Sequence, residues 1–219
     1  MKIIRYVLGL IFLMVIYLIA WPVPIDPVAW DPPPAPALEG KYAVNNYLAA
    51  VNIIHTDKAI GPEDVDVDNE GRIYGGFLDG RIIRFSPNGE NLGVFANTKG
   101  RPLGLDFDNE GNLIIADAVK GLLSADKNGT IKILATEIEG IPLKFTDDVD
   151  VGPDNMIYFS DASEKFGVHD YRTDLWEHRP HGKIIRYDPS SKNLTLLLDG
   201  LYFANGVAVS PDGQFLLFN

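Results

Sequence analysis

The chain has 219 residues, a formal net charge of −11 and a charged fraction of 22%, which is ordinary for a folded protein. The acidic balance excludes a typical nucleic-acid-binding surface, because contacts to phosphates need Lys and Arg. The absence of cysteine excludes a disulfide framework, a thiolate nucleophile and a cysteine-ligated metal.

The N-terminal part of the chain is apolar, and residues 6–25 contain no charge. At about 1.5 Å per residue, a helix of this length reaches the roughly 30 Å of a bilayer core. The basic Lys2 and Arg5 precede it and acidic residues follow from Asp26, which predicts a cytoplasmic N-terminus. The rest of the chain then lies on the periplasmic, lumenal or extracellular side. The alternative is a cleaved signal peptide, but the apolar core is long and no A-x-A-like site follows, so we expect residues 1–25 to be an uncleaved anchor.

Residues 26–40 form a proline-rich linker. Proline at this density predicts an extended, semi-rigid spacer that holds the following domain off the membrane. The modest apolar pattern of residues 38–59 fits either a short helix or a strand that joins the first repeat.

An internal repeat organises the remainder of the chain. Residues 63–74 read as a polar residue, an alternating strand, a tight turn and a second strand, and similar copies begin at Leu103, Asp147 and Asn205. A second hairpin follows in each of the first three copies, so one repeat holds four short strands in roughly forty residues. This pattern predicts an all-β fold, a β-propeller whose blades are the repeats.

Two irregularities interrupt the repeat. The third copy carries a polar and aromatic insertion at residues 164–181, which predicts a loop or short helix at one face of the propeller. The fourth copy stops within or just after its second strand. We therefore expect residues 41–219 to be an incomplete propeller, part of a longer and six-bladed protein. The alternative is a four-bladed ring whose last blade is completed by residues 38–59.

Aligning the four copies places one residue of each at the same point, five positions before the turn. These residues are Glu63, Leu103, Asp147 and Asn205. Three of them carry side-chain oxygen, which is the ligand type that a hard divalent cation prefers. Strand-start residues that cap turns are the alternative for each one taken singly.

The segments GPEDVDVDNEGRIYGG, HGKIIRYDP and DGLYFANGVAVSPDG resemble the strictosidine synthase-like branch of six-bladed propellers. This branch includes the adipocyte plasma-membrane-associated arylesterase type, which also has an N-terminal anchor. The gluconolactonase and paraoxonase families are wider relatives. The resemblance covers the chain from about Gly61 to its end.

The resemblance implies one Ca²⁺ or another divalent cation on the propeller axis, held by Glu63, Asp147 and Asn205. Asp64 and Asp148 match positions that hold a second, structural calcium in paraoxonase-like propellers, although turn capping explains them equally well. The match departs from the family pattern in three ways. Asp147 replaces the usual Asn, Leu103 stands where paraoxonases place a catalytic His, and the last acidic ligand is expected beyond the C-terminal residue.

His178 and His181 have a spacing that a metal can use, but no third such ligand is near, so we interpret them as loop or substrate-access residues. The pattern assigns no catalytic residue. The leading hypothesis is a membrane-anchored, cation-dependent hydrolase of small-molecule esters or lactones, similar to arylesterases and lactonases. The alternatives are a non-catalytic propeller that binds a partner protein and a metal-independent synthase that joins an amine to an aldehyde.

Overall fold

The computed structural model describes residues 2–54, 56 and 59–219. It begins with helix α1 (Lys2–Ala20), which buries none of its residues against the rest of the protein. The helix ends earlier than the uncharged stretch does, because Pro22 and Pro24 lack the N–H that would continue it. By length and composition α1 is able to cross a membrane.

The repeats form successive antiparallel sheets that pair their strands in chain order, which confirms the predicted propeller blades. Blade 1 contains β1 (Val65–Val67), β2 (Ile73–Gly76), β3 (Arg81–Phe85) and β4 (Asn91–Asn97). Blade 2 contains β5 (Pro102–Phe107), β6 (Leu113–Asp117), β7 (Gly121–Ala125) and β8 (Ile131–Ala135). A small hairpin of β9 (Glu137–Ile138) and β10 (Ile141–Pro142) follows.

Blade 3 contains β11 (Thr146–Val151), β12 (Ile157–Asp161), β13 (Gly182–Asp188) and β14 (Asn193–Leu201). The insertion lies between β12 and β13 and includes helix α2 (Tyr171–Glu177), which agrees with the prediction of a loop or short helix. The fourth copy forms a two-stranded sheet of β15 (Val207–Val209) and β16 (Leu216–Phe218).

The hydrophobic core lies between neighbouring blades, because each sheet presents apolar side chains to the next sheet. One buried layer joins blades 1 and 2, and it contains Tyr74, Ile82, Ala96, Leu105, Leu113, Ile115, Leu123 and Ala125. A second layer joins blades 2 and 3, and it contains Ile114, Ala116, Leu122, Val149, Ile157, Phe159, Ile185 and Tyr187 among others. This layered core is what the propeller architecture requires.

The strand order defines two faces. The first strand of each copy, which we call its inner strand, begins at the upper face and ends at a tight turn on the lower face. The lower-face turns include residues 68–71 and 108–111, where Gly71 and Gly111 supply the positive φ of +75° and +81°. The insertion at residues 164–181 lies in the connection between the end of β12 and the start of β13, so it lies at the upper face.

Residues 41–60 form no strand in the part that the structure describes, where a short 3-10 helix at Gly40–Tyr42 is the nearest regular element. The backbone N–H of Leu78 donates to Ile60 O at 3.0 Å, which ties the end of this segment to blade 1. In the described residues β15 and β16 pair only with each other, so the four-bladed closure by residues 38–59 is not formed.

The proline-rich linker differs from the free spacer that its composition predicts. Its residues around Asp26 and Val28 are hydrogen-bonded to Glu177 at the end of α2. The difference has a physical reason: a proline-rich segment has no internal hydrogen bonds, so its remaining N–H groups are free to bond elsewhere.

Candidate functional site

The residues singled out by the repeat lie at the start of successive inner strands, on the upper face. We call Glu63, Leu103, Asp147 and Asn205 the strand-start row. Their side chains do not gather into a compact cluster of the usual ligand types. Within the described residues, no three His, Asp or Glu side chains are close enough to form a metal-binding group. Whether Glu63, Asp147 and Asn205 bind a cation together therefore stays a prediction.

Asp147 has the most unusual environment of the row. Its side chain is only 2% exposed, and its Oδ2 atom is buried without a hydrogen-bond partner. Burial raises its pKa to about 8, and the charges of Glu63, Asp148 and Asp161 act in the same direction. A buried carboxylate of this kind needs either a proton or a positive charge beside it. The orphaned oxygen is therefore compatible with a bound cation.

Glu63 is exposed, yet its surroundings also raise its pKa. Desolvation is the largest cause, followed by the negative charges of Asp148 and Asp64, while Arg101 opposes them. Glu63, from blade 1, in turn helps to raise the pKa of Asp147, from blade 3, across the upper face. Two carboxylates that repel each other in this way favour the uptake of a cation.

Arg101 is a residue of this site that the repeat pattern did not single out. Its Nη1 atom donates to Gly61 O at 2.7 Å, and its backbone N–H donates to Asp117 Oδ1 at 2.9 Å. Burial lowers its pKa, while Glu63, Asp117 and Asp147 counteract this effect. The sequence offered one sign of this role: Arg101 is a basic residue two positions before Leu103 in a chain whose net charge is negative.

An apolar cluster lies beside the row on the same face. It comprises Leu103, Ala118, Phe145 and Ala162, which are buried, together with Val168, Tyr171 and Phe203. The rings of Phe145 and Phe203 are 5.3 Å apart, and Tyr171 from α2 lies 6.4 Å from Phe145. Leu103 therefore has a packing role in the row, which explains why this position needs no oxygen.

A second series of acidic residues runs along the same inner strands, and each of its members bonds to the next blade. We call these residues the ladder aspartates. Their Oδ2 atoms accept the backbone N–H of a residue on the following inner strand, at 2.5–2.9 Å. The pairs are Asp64 with Leu105, Asp66 with Phe107, Asp106 with Val151, Asp148 with Val207, and Asp150 with Val209.

Two ladder aspartates, Asp64 and Asp148, are the residues proposed from the sequence for a second metal. Each already uses a carboxylate oxygen to hold neighbouring blades together. A cation at these positions would have to share those oxygens, so the second metal stays a prediction with a competing structural role beside it.

His178 and His181 belong to the insertion. His178 ends α2 in the left-handed conformation, and its ring stacks between Trp30 at 5.1 Å and Tyr202 at 4.8 Å. The Nε2 atom of His181 lies 3.2 Å from Glu177 Oε2. The His178 ring thus packs against two aromatic rings from outside the insertion, and the His181 ring lies beside a carboxylate within it. Their part in substrate access stays a prediction.

The fold is a β-propeller, and solved structures that share it include proteins described as gluconolactonases. A solved structure described as a putative gluconolactonase matches with a TM-score of 0.61 at 21% identity, over 74% of this chain and 57% of that one. A gluconolactonase from Xanthomonas campestris matches with a TM-score of 0.55 at 20% identity, over 68% and 50% of the two chains. At these identities the likeness establishes the fold alone.

Sequence relatives identify the family. A profile described as strictosidine synthase matches residues 147–219, and one described as strictosidine synthase-like, N-terminal, matches residues 40–85. The chain is 38% identical over 178 residues to strictosidine synthase-like protein 6 of Arabidopsis thaliana, covering 78% of this chain and 48% of that protein. It is 32% identical over 211 residues to the adipocyte plasma membrane-associated protein of Rattus norvegicus, covering 89% and 56%.

The chain belongs to the strictosidine synthase-like family. It spans about half the length of the curated relatives that it matches.

Proposed function

We propose that this chain belongs to a membrane-anchored, divalent-cation-dependent hydrolase of esters or lactones. The observation that carries the proposal is the buried Asp147, whose Oδ2 atom has no partner on the face shared with Glu63. The fold shared with gluconolactonases supports a lactone as one substrate class. The apolar α1 and the plasma membrane-associated relative support the anchor.

The residues that would hold the cation are Glu63, Asp147 and Asn205, and Ca²⁺ is the ion best suited to carboxylate and amide oxygens. When bound, such an ion polarises an ester or lactone carbonyl or lowers the pKa of a water. The excess of Asp and Glu at this face supplies the negative charge that attracts it. The strand-start positions fix the side chains on the rigid inner strands.

The other residues of the face have roles that need no metal. The Arg101 guanidinium lies within electrostatic range of Glu63 and Asp147, so it is placed to stabilise negative charge near them. The apolar cluster around Leu103 and Phe145 excludes water from one side of the site and suits the hydrocarbon part of a substrate.

The test combines calcium binding with turnover on the full chain. Metal-free protein is titrated with Ca²⁺ by calorimetry, and hydrolysis of phenyl acetate and of simple lactones is followed with and without the ion. We expect Glu63→Gln to weaken Ca²⁺ binding at least about tenfold and to lower turnover in parallel, because it removes a charged ligand.

Glu110→Gln is the matched control, since it makes the same change at an exposed position on the lower face. It should leave both measurements unchanged. A chain that binds no Ca²⁺ and hydrolyses neither substrate class would refute the proposal.

A metal-independent condensing enzyme is the second candidate, and Arg101 is the observation that favours it. A fixed guanidinium already offsets part of the charge of Glu63 and Asp147. The strictosidine synthase profile points to the same chemistry. Condensation of an amine with an aldehyde in the presence of a chelator, together with no binding of Ca²⁺, would select this candidate over the hydrolase.

A further inference from the structure

The linker that follows α1 is fastened to the far end of the insertion. The backbone N–H of Asp26 donates to Glu177 Oε1 at 2.9 Å, and the N–H of Val28 donates to Glu177 O at 2.9 Å. Arg179 donates back, from Nε to Asp26 O at 2.6 Å and from Nη2 to Asp26 Oδ2 at 2.5 Å. We call Asp26, Glu177 and Arg179 the linker latch.

Glu177 is a built receptor for this segment. Its carboxylate is fully buried, and it also accepts from Lys165 Nζ at 2.5 Å and lies 3.2 Å from His181 Nε2. Burial alone would raise its pKa, but the hydrogen bonds from Lys165, Asp26 N–H and His181 outweigh burial and lower the pKa to about 2. The carboxylate therefore stays charged at neutral pH and holds the linker through a charge-assisted bond from the Asp26 N–H.

Chain length limits how far the latch can lie from the anchor. α1 ends at Ala20, and Asp26 is bound six residues later. Six residues span at most about 20 Å even when fully extended. If α1 lies in the bilayer, the insertion must therefore lie close to the membrane surface.

The surface of the insertion suits that position. Leu175 and Trp176 on α2 are 51% and 67% exposed, and Trp30 and Tyr202 flank the stacked His178 ring with 59% and 58% exposure. Trp and Tyr favour the membrane interface, where an apolar ring meets polar headgroups. Trp30 belongs to the segment that leaves the anchor and contacts His178 at the end of α2, which places this end of the insertion near the point where the chain leaves the bilayer.

We propose that residues 164–181, held by the linker latch, are a membrane-contact element that turns the upper face of the propeller toward the bilayer. The strand-start row and the apolar cluster then face the lipid surface, and the lower-face turns point away from it. Tyr171 links the insertion to the upper-face site, because its ring packs against Phe145, two residues before Asp147. The inference rests on the membrane anchor of the proposed function, and on no part of its chemistry.

The absence of cysteine allows the orientation to be measured with single labels on the full chain. Leu175→Cys places a fluorophore on α2. Lys120→Cys and Glu110→Cys place it at exposed positions on the upper and lower faces of blade 2. Each labelled chain is reconstituted into phosphatidylcholine vesicles that contain a lipid-borne quencher. Quenching should be strongest at residue 175, intermediate at 120 and weakest at 110, with at least a severalfold difference between the extremes.

Arg179→Ala removes both side-chain bonds to Asp26, and it should reduce the quenching at residue 175 toward the value at 110. Arg172→Ala is the matched control, because Arg172 is exposed on α2 and, within the part of the chain that the structure describes, bonds only to Tyr171. Vesicle flotation measures the anchor separately. A chain that floats but shows equal quenching at 120 and 110 would overturn the orientation and leave the anchor intact. Unreduced quenching at 175 in Arg179→Ala would overturn the role of the latch. A chain that does not float would overturn the anchor and the orientation together.

Discussion

Two series of residues run along the same inner strands, the strand-start row and the ladder aspartates, and they differ in what their oxygens bond to. The ladder aspartates each accept a backbone N–H from the next blade, so each has a hydrogen-bond partner that the fold supplies. In the strand-start row, Asp147 is buried with an oxygen that has no partner. Asp147 and Asp148 are neighbours in sequence and yet fall on opposite sides of this division.

The difference shows that a repeated carboxylate is not by itself a ligand. Repetition at the ladder positions follows from the architecture, because every pair of adjacent inner strands offers an N–H at the same place. A carboxylate that the architecture leaves unsatisfied is the better candidate for function, since its burial costs free energy that only a proton or a cation can offset.

The largest effect is expected where a ladder position is occupied by glycine. Gly104 stands where Asp64 and Asp148 stand in blades 1 and 3, and a Cβ there would lie 2.6 Å from Asp148 Cα. Because both inner strands are backbone at this contact, neither can move aside, and Gly104→Ala should cost about 3 kcal/mol of unfolding free energy. Chemical denaturation of the full chain measures it.

Gly140→Ala is the control for this substitution. A Cβ at Gly140 meets no atom within 4 Å, although its φ of +79° disfavours alanine. We expect a loss of about 1 kcal/mol there. Equal losses at the two glycines would mean that the inner strands do not approach as closely as the ladder requires.

The second prediction compares the two neighbouring aspartates directly, in calcium-free buffer. Asp148→Ala leaves the Val207 N–H without its acceptor, which should cost about 2 kcal/mol. Asp147→Ala orphans no donor among the described residues and removes a buried oxygen that has no partner, so its cost should be below about 1 kcal/mol.

Added Ca²⁺ should stabilise the wild-type chain and leave the stability of Asp147→Ala unchanged, because the variant lacks one of the proposed ligands. Thermal unfolding with and without the ion measures both effects. A larger calcium-free loss at Asp147 than at Asp148 would reverse the roles assigned to the two residues.

The repeat made the blades predictable from the sequence, because period-two alternation and the turn at residues 68–71 are local signals. The strand-start row was predictable for the same reason, since aligned repeats place aligned residues at one face. The ladder aspartates were not predicted, although Asp64 and Asp66 are two positions apart and therefore point to the same side of their strand. Recognising it requires the distance between blades, which no single repeat encodes.

Contacts between distant segments were the other limit. The proline composition of residues 26–40 predicts a spacer, but it gives no sign of the bond from Asp26 to Glu177, which joins residues 151 positions apart. Arg101 was missed because its significance comes from Glu63 and Asp147, which reach it from two other blades. Local pattern determines which elements form, and packing determines which side chains meet.

The last comparison concerns charge within the ladder itself. Burial raises the pKa of Asp106 to about 8, and the neighbouring Asp150 carboxylate adds to the shift. Between pH 4 and 8 the folded chain therefore holds a proton at Asp106 that the unfolded chain has lost. The unfolding free energy must then fall as pH rises through this range.

Asp106→Asn keeps an oxygen for the Val151 N–H and removes the charge, so this part of the pH dependence should disappear. The variant should match the wild type near pH 4, and its advantage in unfolding free energy should grow steadily as the pH rises to 8. Glu110→Gln, at an exposed turn, should follow the wild-type curve throughout. If Asp106→Asn instead lost stability at pH 8, the charge of Asp106 would be stabilising, and the ladder would depend on ionised carboxylates rather than on oxygen acceptors alone.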